Sequence, residues 1–353
     1  MAVTLRDVAR HAGVSVRTVS NVVNDFPYVA TATRERVQRS LTELGYRPNL
    51  AARNLRRGRS GMIALVLPEL DVPYFSELTR LIIETARRRH YTVVVDQTDG
   101  DPDEERRLVL ASGRDHLFDG LIFSPLALSG DDLRRRDEAG PPVVLLGEHI
   151  DAAPFDHIAI DNVAAARAAT THLFEVGRRR VAALGDQPFL SGETAQYRTA
   201  GYREAHAAAG RTVDPSLVVA ARHFHRADGA TAMAHLLDLP EPPDAVFCYN
   251  DLLAFGAMRT LLSRGLRVPD DVAVVGFDGT EEGRYTTPTL TTVAPDKARI
   301  AELAVDTLLA RLGGADIPVQ KLTPPYRLEI RESTAGGGGN RPREGHPDGV
   351  RAR

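Results

Sequence analysis

The chain has 353 residues with 43% hydrophobic content, enough for two or three domains, and its net charge of −3 is unevenly spread. Residues 1–60 hold eleven Arg against four acids, a balance of +7, so the remainder carries −10; a basic head on an acidic body suits a polyanionic partner. The single cysteine, Cys248, excludes an intramolecular disulfide framework, and with no signal-peptide core and no run approaching ~18 apolar residues the chain reads as soluble and cytoplasmic.

Residues 1–46 read as three short helices. Leu5, Val8, Ala9 and Ala12 recur at helical spacing and Gly13 breaks the pattern. Ser15 can cap a second helix with Val19 and Val23 inward. A third places Val37, Leu41 and Leu44 on one face and stops at Gly45. The string TLRDVARHAGVSVRTVSNVVN (4–24) thus has helix-turn-helix form, with Val16, Arg17, Thr18, Ser20 and Asn21 outward on the second helix. Hydroxyls beside an Arg suit a groove-facing helix, although a small helical module for protein contact has the same pattern. Residues 47–60 follow as a linker: LAARNLRRGRSG favours helix but has almost nothing to bury.

From residue 61 the rhythm changes. MIALVLP (62–68), YTVVVD (91–96), GLIFS (120–124), PVVLLG (142–147), RVAALG (180–185), SLVVAA (216–221), DAVFCYN (244–250) and DVAVVGFD (271–278) alternate with helical stretches. Such alternation implies parallel sheets covered by helices, and about ten units exceed one ordinary sheet. The expected fold class is therefore α/β: an all-α helix-turn-helix head and a two-lobed, doubly wound body spanning 61–334. Lobe 1 is expected at about 61–161 plus 292–322, and lobe 2 at about 162–291 plus 323–334. The stretch 335–353, AGGGGNRPREGHPDGVRAR, is low-complexity and reads as a disordered tail.

In doubly wound lobes, ligands bind beyond the carboxyl ends of the strands. The residues placed there are Asp71, Tyr74 and Phe75 after the first strand, Ser124 after the third, and Gly147–Glu148 after the fourth. In the second lobe they are Asn250, Asp251 and Asp278, with Arg198 and Phe224 on connecting segments. Carboxylates, an amide and an Arg can bind hydroxyls, while rings cover an apolar sugar face, so the set suits a carbohydrate-sized ligand. Each residue also has a structural alternative: Asp278 as a helix cap, Phe75 as core, Arg198 in an ion pair.

Taken in order, TLRDVARHAGVSVRTVSNVVN, TRERVQRSLTELGYRPNLAARNL (33–55) and the two-lobed remainder to about residue 334 resemble the lactose-repressor (LacI/GalR) family. The resemblance implies a periplasmic-binding-protein-like effector domain and a DNA-binding head. It implies base contacts by Val16, Arg17 and Asn21, and phosphate contacts by Thr4, Ser15, Thr18, Ser20, Asn24 and Thr33. Asn21 stands where an Arg is more usual, so the half-site does not carry over. Pro48–Leu55 matches a hinge helix that orders on DNA, with Ala52 and Leu55 at its minor-groove positions. Arg198, Asn250, Asp278, Asp71, Phe75 and Phe224 match effector contacts, with Glu148 and Ser124 as weaker matches. The implied partners are a pseudo-palindromic operator, a small effector of carbohydrate type and a second copy of the chain, a tetramer being left open. Neither cofactor nor membrane is implied.

Enzyme motifs are absent from the sequence. A P-loop requires Gly-Lys-Ser/Thr, but Asp296 and Gln320 precede the only lysines, Lys297 and Lys321. There is no GxSxG elbow, no HExxH, and no GxGxxG opening a helix after a strand. His223 and His225 lack further nearby ligands for a metal. A transporter's solute-binding protein would need a secretion signal and no helix-turn-helix.

Overall fold

The computed structural model describes residues 3–23, 26–46, 59–110, 117–128, 130–135, 140–147, 155–188, 193–314 and 317–335. The chain divides into two units, Met1–Gly61 and Met62–Arg353.

The first unit is built from α1 (Leu5–Ala12), α2 (Val16–Val23) and α3 (Thr31–Glu43). Thr4 and Asp7 start α1 as a capping box: the Asp7 amide donates to the Thr4 hydroxyl oxygen, and the Asp7 carboxylate accepts from the Thr4 amide at 3.0 Å. Gly13 ends the helix at φ +65°, a conformation that costs other residues strain. The Ser15 hydroxyl then accepts from the Thr18 amide at 3.1 Å and starts α2. Val8, Ala9, Ala12, Val19, Val22 and Val37 form the buried core. The inward valines of α2 are therefore Val19 and Val22, with Val23 only partly buried. Because α2 packs against both α1 and α3, its apolar face follows the i, i+3 row.

The second unit contains two six-stranded sheets. The first uses β1 (Met62–Leu67), β2 (Thr92–Gln97), β3 (Gly120–Phe123), β4 (Val143–Leu146), β5 (Asp156–Ile158) and β11 (Lys321–Leu322), in the order β11-β5-β4-β3-β1-β2. The second uses β6 (Val181–Asp186), β7 (Val218–Ala220), β8 (Ala245–Cys248), β9 (Ala273–Phe277), β10 (Thr291–Pro295) and β12 (Tyr326–Glu329), in the order β12-β10-β9-β8-β6-β7. All pairings are parallel except β10 with β12. The central strands are buried throughout, which is why they read as unbroken apolar runs.

Helices α4 (Pro73–Arg88) and α11 (Lys297–Leu312) pack together, and α11 also contacts β3, β4 and β5 of the first sheet. Helix α5 (Pro102–Leu110) meets α6 (Gly130–Arg134). On the second sheet, α7 (Asn162–Glu175) pairs with α8 (Glu193–Ala208), and α9 (Arg226–Leu237) with α10 (Asp251–Ser263). The chain passes between the sheets after β5, between β10 and α11, and between β11 and β12. The second passage, expected at about 292, falls at Asp296, because β10 remains zipped between β9 and β12. Residues 336–353 of the expected tail lie outside the described residues. Among the described residues no helix is long and apolar enough to cross a membrane.

Candidate functional site

Two surfaces, one on each unit, collect part of the residues singled out from sequence. On the head, the packing of Val19 and Val22 turns the opposite face of α2 outward, leaving Val16 and Arg17 exposed. An open groove of about 440 Å³ runs beside it. Its lining includes Ser15, Thr18 and Asn21 from the α2 region, Thr33 and Arg36 from α3, and Tyr28 from the intervening turn. Four of the expected DNA-contacting residues thus share one concave surface. Tyr28, 87% exposed, and Arg36 join them and escaped the sequence reading. An aromatic in a turn carries no signal until the turn is seen beside the exposed helix. Thr4 is exposed, but its hydroxyl donates to Asp7 at 2.6 Å, so its first role is to cap α1. Ser20 is half-buried on α2. Asn24, Ala52 and Leu55 lie outside the described residues.

On the body, Arg198 extends from α8 and is 7% exposed. Its Nε donates to Asn162 Oδ1 at 2.8 Å and its Nη1 donates to the Tyr249 carbonyl. The guanidinium lies over the Phe277 ring, 3.6 Å from its centre. Asn250 caps α10: its Oδ1 accepts from the Leu253 amide at 2.8 Å, and its Nδ2 donates to the Phe224 carbonyl at 2.9 Å. This leaves the amide one N–H for a ligand. Phe224 meets Tyr249 edge to face at 6.5 Å. Arg198, Phe224, Asn250 and Asp278 are therefore tied together around the ends of β8 and β9.

Two neighbouring acids differ sharply there. Asp251 is fully buried, and its carboxylate accepts from the Thr280 amide at 2.7 Å, the Thr280 hydroxyl at 2.9 Å and the Thr292 hydroxyl at 2.6 Å. It is saturated and structural. Asp278, 8% exposed, receives no hydrogen bond on its carboxyl among the described residues. Burial pushes that carboxyl well above the usual carboxylate range; Arg198 and Lys297 pull it back, while Asp251 and Glu77 oppose them. Asp278 caps no helix and stands at φ +115°, an unusual backbone state for a side chain other than glycine. A buried carboxyl without partners is costly unless something else supplies them.

The first lobe contributes Tyr74 and Phe75 from the first turn of α4, edge to face at 5.3 Å and packed partly on the main core. Lys297 Nζ lies 5.7 Å from the Tyr74 ring centre and so joins this pair to the Asp278 side. Asp71 is exposed and Ser124 is buried at the end of β3. Among the described residues no hydrogen bond or ring contact joins either to Arg198 or Asp278. Glu148 lies outside the described residues. His225 faces Glu69 at 2.6 Å, and the His223 and His225 rings stack at 5.5 Å. Among the described residues no group of three or more His, Cys, Asp or Glu could hold a metal. Asn162, Glu77 and Lys297 were not singled out from sequence; their roles depend on contacts between distant segments.

A helix-turn-helix head followed by two doubly wound α/β lobes is the architecture of a one-component, ligand-controlled DNA-binding regulator. Residues 4–49 match the model of bacterial regulatory proteins of the lacI family, and residues 170–334 match the periplasmic binding protein-like domain. The chain is 32% identical over 333 residues to the HTH-type transcriptional repressor CytR of Escherichia coli K12, covering 94% of this chain and 96% of that protein. It is similar to the transcriptional regulator CelR in complex with cellobiose, at 33% identity and TM-score 0.70, covering 94% of this chain and 99% of that one. It is also similar to the Lac repressor dimer bound to operator and the anti-inducer ONPF, at 28% identity and TM-score 0.80, covering 95% and 99%. This chain belongs to the LacI family. Its relatives are DNA-binding transcriptional repressors, not enzymes.

Proposed function

We propose that this chain represses transcription from a pseudo-palindromic operator as a homodimer in the cytoplasm, and that a sugar or sugar derivative in the cleft controls its hold on DNA. The observation that carries the effector half is the buried Asp278 carboxyl, open to a partner beside the Arg198 guanidinium. A carboxyl within electrostatic reach of a guanidinium suits a hydroxylated ligand, and the partly buried Tyr74, Phe75 and Phe224 offer rings for an apolar sugar face. The cellobiose complex of CelR supports a carbohydrate ligand, and the operator-bound Lac repressor dimer supports paired heads.

On the head, Val16, Arg17 and Asn21 read bases, and Ser15, Thr18, Ser20 and Thr33 contact phosphates, with Tyr28 and Arg36 added from the groove. In the 47–60 linker, Ala52 and Leu55 meet the minor groove. The effector prefers one lobe arrangement and so shifts the spacing of the two heads, a coupling between distinct sites.

The test is a thermal-shift screen of the full chain against sugars, nucleosides and amino acids, followed by operator binding with and without each hit. A native-state ligand raises the melting temperature. A sugar that stabilises the protein, changes its operator affinity and loses both effects in Asp278→Asn supports the proposal. A hit among nucleosides or amino acids with none among sugars refutes the carbohydrate assignment.

A further inference from the structure

We propose that Lys297 and Glu77 form a clasp on the first lobe that grips the Gly279–Glu281 turn of the second and thereby positions Asp278. The inference rests on Asp278 being an effector contact and assigns that site its positioning residues.

Lys297 opens α11 immediately after the passage at Asp296 and is buried. Its Nζ donates to Glu77 Oε2 on α4, within its own lobe, and at 3.1 Å to the Gly279 carbonyl across the cleft. Glu77 Oε1 accepts from the Glu281 amide, also across the cleft, at 3.2 Å. One ion pair on the first lobe thus holds two backbone groups, of opposite polarity, from a single turn of the second. On its other side the same turn is anchored within its own lobe, where Asp251 accepts from the Thr280 amide and hydroxyl. Asp278 lies directly before the turn at φ +115°, so its carboxyl direction depends on how the turn is held.

The two anchors respond differently to lobe movement. The Asp251 anchor travels with the second lobe, whereas the Lys297–Glu77 anchor exists only while the lobes are together. Closure therefore sets the Asp278 geometry, and a ligand that needs that geometry favours closure in return.

The anchors can be separated by residue-resolved amide hydrogen exchange on the ligand-free, full-length protein. Lys297→Met and Glu77→Ala should each speed exchange of the Glu281 amide about tenfold while the Thr280 amide keeps its protection, and Lys297→Arg should restore the wild-type rate. An unchanged Glu281 rate, or equal acceleration of Thr280 and Glu281, overturns the clasp. Cellobiose titration provides a second arm: Lys297→Met should weaken binding about tenfold, with rescue by Lys297→Arg. Wild-type failure to bind cellobiose would count against that sugar as effector alone, since exchange is read without ligand.

Discussion

The central carbon of the Arg198 guanidinium lies 3.6 Å from the centre of the Phe277 ring, and the residue after Phe277 is Asp278. With Nε bound to Asn162 and Nη1 to the Tyr249 carbonyl, the side chain has paid its ordering entropy before any ligand arrives. Lysine keeps the charge but has neither the planar fork nor the stacking surface. Arg198→Lys should therefore weaken effector binding by about 1.5–3 kcal/mol, the range for hydrogen bonds to charged groups, while ligand-free operator affinity is retained. Calorimetric titration and fluorescence anisotropy measure the two quantities. Normal effector affinity would reduce Arg198 to a structural tie.

Asp278 should make the ligand-free protein less stable as pH rises. Its folded-state pKa is raised, chiefly by burial, so between the ordinary carboxylate range and that raised value the folded chain binds more protons than the unfolded one. Stability then falls with increasing pH across that window. Asp278→Asn removes the term and should raise the melting temperature, with a gain that is larger at about pH 8 than at about pH 5. The same change should abolish the effector response, a trade of stability for function. A gain independent of pH would show that the carboxyl is not strained by burial.

The head separates base reading from phosphate contact. Arg17→Ala, on the exposed face of α2, should cost about 1–3 kcal/mol and relax one base position. Arg36→Ala, in the groove, should weaken binding evenly across sequences and lower the salt slope by about 1. Binding titrations at several salt concentrations on operator and scrambled duplexes distinguish the two patterns. Loss of base preference in Arg36→Ala with none in Arg17→Ala would reverse the assignment.

His172 should weaken the body in acid. It is buried on α7, with Nε2 2.9 Å from the Thr334 hydroxyl in a cluster that includes Thr291 and Ser333. Burial lowers its pKa, so the contribution is full above the ordinary histidine value and is lost as pH falls through it towards the folded value. His172→Gln should flatten that acid limb of the melting curve, at a cost of roughly 1 kcal/mol near neutrality. An acid limb of unchanged steepness in His172→Gln would place the titrating group elsewhere.

The head was legible because its signals are local: Leu5, Val8, Ala9 and Ala12 recur at helical spacing, Gly13 must bend, and Ser15 must cap; the Thr4–Asp7 box, equally local, was not read. The assignment of Val23 as the inward valine missed by one position, since the choice between Val22 and Val23 depends on which neighbours α2 touches. The central strands were legible because burial on both faces leaves a continuous apolar run. Nothing local in TTVAP tells which sheet β10 joins, and that ambiguity displaced the second passage. In the cleft, Arg198, Asn250 and Asp278 were accessible as polar residues at strand ends or in a recognisable motif. Lys297 and Glu77 meet across 220 positions, a juxtaposition no local pattern encodes. Asn250 carried a capping duty that its place before a helix already hinted at.

The most direct measurement of the central claim is operator affinity of the full-length protein, on a duplex selected from genomic fragments, titrated with sugars that bind the body. The account predicts sequence-specific binding whose affinity changes severalfold or more at saturating sugar, with the change absent in Asp278→Asn. Specific binding that no body-bound ligand alters, or no preference for any duplex at moderate salt, would contradict it.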